Sequence, residues 1–240
     1  MTKRRLTIAE SEYNEKREAI LKRVSSSYIA DAPFVFTNRI TVTSALSRIE
    51  LFKMVQDIPG AIIECGVYKG NSLMLYMQLS MILEPYAINR SIIGFDTFSG
   101  FTSIDPKEDP QDINDTMFSD TDASLIEEMI QINDLVRPVN RIPRCEIVKG
   151  DIVKTAPEFV KTRPDLVVAM LILDTDLYAP TKAALEAFLP YMPKGAIVVL
   201  DEVAYRNFPG ETSALRECFD LNKIKLKRLP FDSSVGYFRI

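Results

Sequence analysis

The chain contains no histidine, and that absence removes Ser-His-Asp triads, imidazole acid/base chemistry and the usual transition-metal sites together. Proton transfer falls to carboxylates, Lys, Tyr or Cys. Only three cysteines are present, Cys65, Cys145 and Cys218. They are widely spaced, odd in number and set in apolar or amphipathic surroundings, which argues against a disulfide framework and against Cys-ligated zinc. No segment approaches the roughly 18 uninterrupted apolar residues of a membrane span. The net charge is −4, with no dense Lys/Arg run to hold a phosphate backbone. Neither nucleic acid nor a membrane is therefore an expected partner. Met1–Leu6 is basic and Thr7–Lys22 is charged, without the apolar centre of a secretory signal, so a cytoplasmic protein is expected.

What is present suffices for one full core: 240 residues, 47% of them hydrophobic. Residues 9 to about 29 are rich in charge, with Ile20, Leu21 and Val24 at helical spacing. They predict an amphipathic helix that packs on another surface, such as a second copy of the chain. Thr43 or Ser44 is placed to cap a second helix through Ala45, Leu46, Ile49, Phe52 and Val55, stopped by Asp57–Gly60. Residues 1–58 are thus expected to form an N-terminal helical region, and residues 59–240 a second domain.

That second stretch alternates short apolar runs with helical patterns. Strands are expected at Ala61–Ile63, Ser91–Phe95, Glu146–Val148, Val167–Leu173 and Ala196–Leu200, with helices at Ser72–Leu83 and Thr181–Leu189 among those between them. Such alternation implies an α/β fold whose parallel sheet is covered on both faces. Lys223–Leu229 and Val235–Ile240 suit a closing antiparallel hairpin. A mainly parallel sheet with that hairpin is the outline of the Rossmann-like class I methyltransferase fold. Gly100–Asp122 carries seven acids against the single Lys107, which makes it either a solvated loop or a lid over a site.

Glu64-Cys65-Gly66-Val67-Tyr68-Lys69-Gly70 follows the first strand with ExGxxxG spacing, where Gly66 lets the backbone turn and approach a ligand closely. This suits the amino-acid end of S-adenosylmethionine (SAM), whereas the GxGxxG of a dinucleotide site is absent. Asp96 follows the second strand, where a carboxylate accepts from both ribose hydroxyls. Asp151 follows the third, where such folds meet the adenine amino group. Each acid alone has a bland reading as a solvated loop residue; three at successive strand ends favour SAM. With Gly70, Ser72 and Thr97 they make up the candidate cofactor set.

Asp174 and Asp176 end the most apolar run, and Asp201 and Glu202 end the next strand. Helix capping accounts for one or two of these acids, not four. Like charges so close call for a cation, and all-oxygen donors favour Mg²⁺ or another hard divalent ion. Methyl transfer from a sulfonium is largely a matter of positioning an oxygen nucleophile, and a metal with a neighbouring carboxylate would deprotonate an alcohol without histidine.

Ile63-Glu64-Cys65-Gly66-Val67, Gly94-Phe95-Asp96-Thr97-Phe98, Leu173-Asp174-Thr175-Asp176-Leu177-Tyr178 and Asp201-Glu202 together resemble the macrocin O-methyltransferase family, from roughly Arg39 to the C-terminus. The resemblance implies SAM- and Mg²⁺-dependent methylation of a sugar hydroxyl on a deoxysugar or glycoside, as in natural-product biosynthesis. It also implies Asp174, Asp201 and Glu202 as metal ligands, and Asp174 as general base with Asp176 as second choice. The N-terminal region would then shape homo-oligomer contacts and the acceptor pocket. Macrolide-acting members carry two aspartates where this chain has Asp201-Glu202. The segment Phe208–Thr212 is closer to calicheamicin-type sugar methyltransferases. Three other readings compete: methylation of a catechol-like phenol, a non-catalytic SAM-binding protein, and an NAD-dependent sugar oxidoreductase. Intact acids at both sites oppose the second; the missing GxGxxG opposes the third.

Overall fold

The computed structural model describes residues 7–240; the basic stretch Met1–Leu6 lies outside the described residues. The chain divides into two compact units, one up to Leu46 and one from Ser47 to Ile240.

In the first unit the helix expected over 9–29 is two helices, α1 (Ile8–Leu21) and α2 (Ser26–Asp31). Thr7 and Glu10 form a capping box that starts α1, and the Ser25 hydroxyl accepts from the Tyr28 N–H to start α2. Satisfying orphan N–H groups in mid-segment favours a new helix over continuing the old one. A short α3 (Pro33–Phe36) follows, and Arg17 donates from Nε and Nη2 to the Phe36 carbonyl at 3.0 and 2.7 Å. Next comes α4 (Arg39–Lys53), where Asn38 accepts from the Thr41 N–H at 2.8 Å. The expected cap at Thr43 or Ser44 is thus displaced, because Asn38 already serves the first turn. From Ser47 onward α4 belongs to the larger unit, whose core takes in Leu51, Phe52 and Val55.

The larger unit holds β1 (Ala61–Cys65), α5 (Asn71–Leu83), β2 (Ile92–Asp96), α6 (Ala123–Leu135), β3 (Cys145–Lys149), α7 (Ile152–Thr162), β4 (Val168–Leu173), α8 (Tyr178–Phe188), β5 (Ile197–Leu200), α9 (Gly210–Cys218), β6 (Lys227–Arg228) and β7 (Gly236–Arg239). The sheet order is β3-β2-β1-β4-β5-β7-β6, with β1–β5 parallel and β7 antiparallel to both β5 and β6. This is the α/β, Rossmann-like class I methyltransferase architecture. Alternate strand residues feed two cores. Ile62, Met170 and Ile172 pack with α5 and α6 on one face; Ile63, Leu171 and Leu173 pack with α7, α8 and α9 on the other. All six residues of β4 are buried, as a strand covered on both faces requires.

The hairpin is shorter than the alternation of Lys223–Leu229 suggests. Only Lys227 and Arg228 pair, with Tyr237 and Gly236: β7 begins at Gly236 and ends the ladder on the Leu229 side, while the start of the run is drawn into a turn, with Lys223 N–H donating to the Asp220 carbonyl at 2.9 Å. Strand order reverses about β1, which connects onward to β2 on one side and lies beside β4 on the other. The crevice beyond the carboxyl ends of β1 and β4 is where open α/β sheets bind ligands.

Candidate active site

At the end of β1, Glu64 is 1% exposed, and neither of its carboxylate oxygens has a hydrogen-bond partner among the described residues. Burial pushes its pKa up to about 7, with the Arg48 guanidinium and then the nearby Ser72 hydroxyl pulling the other way. A buried carboxylate without a partner is costly, so this position is prepared for a cationic or donor-bearing ligand. Gly66 follows with φ +95°, and a Cβ there would lie 1.8 Å from the Asp174 carbonyl oxygen. The glycine is what lets the β1 turn pass against the tip of β4. Gly70, with its own positive φ, sits at the N-cap of α5.

Three sequence-derived cofactor residues serve the backbone in this structure. Asp96 accepts through Oδ2 from the Val67 and Tyr68 N–H groups at 2.7 and 2.8 Å, and through Oδ1 from Phe98 N–H at 2.7 Å. A carboxylate has about four acceptor positions; three are taken by these backbone groups, and one on Oδ1 stays open. Thr97 donates to the Gly100 carbonyl at 2.6 Å and accepts from Ser99 N–H, forming a turn. Asp151 caps α7 through Val153 N–H at 3.0 Å and accepts from the Ser103 hydroxyl at 2.8 Å. Short acids beside a chain reversal are readily claimed by nearby N–H groups. Asp96→Ala should therefore cost about 2–4 kcal/mol by thermal denaturation, since three N–H groups lose their acceptor. An unchanged melting temperature would remove its structural role.

Across the crevice, Asp174 keeps 31% of its side chain exposed. Burial, then the charges of Asp201 and Asp176, hold its pKa well above the usual carboxylate range, with Arg48 opposing. Asp176 stands in the left-handed region at φ +61°; burial and the Asp201 charge raise it to about 6. Burial also raises Asp201, and burial together with the Asp176 charge lifts Glu202 to about 8. The Glu202 Oε2 is buried and lacks a hydrogen-bond partner among the described residues. Neither Asp176 nor Asp201 caps a helix: Leu177 holds the N-cap of α8, and a turn follows Asp201.

Two residues without an assigned role in the sequence hold these acids in place. Arg48, on α4, places Nη2 3.6 Å from Asp174 Oδ2 and 4.0 Å from Asp201 Oδ1. Its Nε donates to the Ser72 hydroxyl at 2.6 Å, joining the cofactor end of the crevice to the acid end. Glu211, fully buried on α9, accepts from Thr175 and Asp176 N–H at 3.1 and 3.2 Å and from Glu202 N–H at 3.3 Å. One carboxylate thereby sets the spacing of both strand-tip loops. The acidic loop is pinned as well: the Tyr178 N–H donates to buried Asp109 at 2.8 Å, Lys69 pairs with Asp120 at 2.6 Å, and Thr121 donates to the Tyr68 carbonyl.

Among the described residues no three acidic side chains converge as a metal site. Four further observations nonetheless fit a hard cation: an all-oxygen donor set, acids that raise one another's pKa, the unsatisfied Glu202 oxygen, and a guanidinium already drawn to two of the acids. Phe95 lies in the core against Phe159 and Phe188, and Phe98 is also buried, so neither forms an open platform for a flat phenol.

The profile of the family described as macrocin-O-methyltransferase (TylF) matches residues 39–239. The crystal structure of CalS11, a calicheamicin methyltransferase, superposes with a TM-score of 0.90 at 31% identity over 98% of this chain and 93% of that one. An apo structure of CalS11, there named TDP-rhamnose 3'-O-methyltransferase, gives 0.83 at 30% identity over 98% and 95%. The O-methyltransferase NovP shares the fold, with a TM-score of 0.63 at 17% identity over 82% and 79%. No curated protein sequence matches the chain.

Proposed function

The chain belongs to the macrocin O-methyltransferase family and is a SAM-dependent O-methyltransferase; from that premise we propose that it methylates a sugar hydroxyl with the help of a hard divalent cation. The observation that carries this reading is the juxtaposition of an unpartnered, buried Glu64 with the acids at the tips of β4 and β5. The likeness to CalS11, named for a TDP-rhamnose substrate, supports the sugar.

SAM supplies a methyl group on a sulfonium, whose transfer to oxygen breaks the C–S bond with the electron pair leaving on sulfur. Glu64 receives the ammonium of the methionine moiety, and Gly66 and Gly70 shape the turn around it, with Ser72 at the start of α5. Asp96 braces that turn and keeps one acceptor position for a ribose hydroxyl; Thr97 and Asp151 line the same rim. Asp174, Asp201 and Glu202 would hold Mg²⁺ or a similar ion, which lowers a bound hydroxyl's pKa and fixes its direction. Asp174 takes the hydroxyl proton, with Asp176 as the alternative acceptor. Arg48 restrains Asp174 and Asp201, and Glu211 sets the spacing of the loops that carry the acids. Holding the oxygen in line with the methyl carbon is the larger part of the catalysis.

Residues 100–122 act as a lid, fastened at Asp109 and Asp120. The helical region contacts a second copy, for which its exposed Phe34, Val35 and Ile40 are suited. No helix among the described residues is long and apolar enough to cross a membrane; a cytoplasmic enzyme is in keeping with this.

Calorimetric titration of metal-stripped protein with S-adenosylhomocysteine tests the reading. Binding is expected, weakened about tenfold or more in Glu64→Gln, because a charge-assisted contact is lost. The free protein disfavours ionised Glu64 below its pKa of about 7. Wild-type affinity should therefore fall roughly tenfold per unit as pH drops below 7 and level off above 8, while Glu64→Gln loses that dependence. No binding with or without Mg²⁺ would sink the proposal.

A further inference from the structure

A cleft of about 320 Å³ opens at the catalytic edge of the sheet, between Val203–Ala204 and the β6–β7 hairpin, where Lys227, Arg228, Ser233 and Ser234 line it. Leu200, the residue before the acid pair, pairs with Gly236, and Gly236 pairs in turn with Arg228. The cleft and the acids therefore share one strand level. No acid lines the cleft, and among the described residues no carboxylate forms an ion pair with Lys227 or Arg228. The adjoining site is the opposite, with Asp174, Asp176, Asp201, Glu202 and Glu211 set against Arg48. An anionic acceptor would be repelled there unless a counter-charge held it at a distance from the acids. Charges on an edge strand also discourage pairing with other chains. That role explains cations on β6, but not a recess bounded by hydroxyls and by the loop that carries the acid pair.

We propose that this cleft seats the diphosphate of the acceptor, so that the sugar reaches the acids while still attached to a nucleoside diphosphate. Lys227 and Arg228 supply the charge and Ser233 a neutral donor, while Ser234, whose hydroxyl donates to Asp232 Oδ1 at 3.1 Å, fixes the turn beside it; such a combination suits phosphate oxygens. The proposal rests on the sugar O-methyltransferase reading and narrows it from glycosides in general to phosphate-linked sugars.

The test titrates the full chain, saturated with S-adenosylhomocysteine, with thymidine diphosphate and separately with thymidine. Thymidine diphosphate should bind and thymidine should not. The double variant Lys227→Ala/Arg228→Ala should weaken thymidine diphosphate about 10–100-fold while keeping the wild-type melting temperature and S-adenosylhomocysteine affinity; Arg228→Glu alone should weaken it further. Absent binding, equal binding of thymidine, or unchanged affinity in a folded double variant overturns the cleft while leaving the methyltransferase reading intact. Failure of the wild type to bind S-adenosylhomocysteine overturns that reading itself, and the cleft with it.

Discussion

Asp174→Asn should lower turnover by about 10³-fold while leaving S-adenosylhomocysteine affinity within roughly twofold of wild type, because a base and a ligand charge are removed from the acceptor side alone. The side chain is nearly isosteric, so the strand tip keeps its shape, and its backbone N–H still donates to the Cys65 carbonyl at 2.9 Å. Removing one carboxylate from a crowded acidic cluster relieves repulsion, so the melting temperature should hold or rise. Divalent binding, followed by calorimetry on the same variant, should weaken together with turnover. Activity comparable to wild type would remove Asp174 as both base and ligand and pass the role to Asp176.

Gly66→Ala should act in the opposite manner, on the fold and the cofactor together. The added Cβ meets a backbone carbonyl oxygen at 1.8 Å, and the residue stands at φ +95°, which non-glycine residues rarely adopt. Relief requires moving the β1 turn away from β4, which also disturbs the Val67 and Tyr68 N–H groups held by Asp96. A loss of about 3–5 kcal/mol is expected, corresponding to a melting temperature lower by roughly 10 °C, together with loss of S-adenosylhomocysteine binding. A variant that melts and binds as wild type does would show that the turn has slack the geometry denies.

Much of this architecture is legible in one dimension because β1, β2, β4 and β5 are buried apolar runs with abrupt polar ends. Once those ends are placed, Glu64, Asp174, Asp201 and Glu202 fall at strand tips. Family membership and the terminal antiparallel strand were legible for the same reason. Arg48 was not, since nothing in its spacing on α4 reveals that it meets the tips of β4 and β5. Glu211 was hidden in another way: its partners are N–H groups of two distant loops. Its one local signal is Gly210, where a Cβ would crowd Asp109 Oδ1 at 2.4 Å and Tyr178 N at 2.5 Å. Asp96, Thr97 and Asp151 stand where the pattern put them, yet backbone groups within reach compete with any ligand for them. That competition is decided by three-dimensional geometry.

Because Glu211 measures out the gap between the two acidic loops, the order in which the chain is synthesised matters to the site. Asp174, Asp176, Asp201 and Glu202 all precede α9 in the sequence. A nascent chain that has made β4 and β5 carries every acid of the centre without the carboxylate that spaces them. The catalytic geometry is thus complete only once α9, made after every acid it spaces, docks beside α8 and its buried acid meets the three N–H groups.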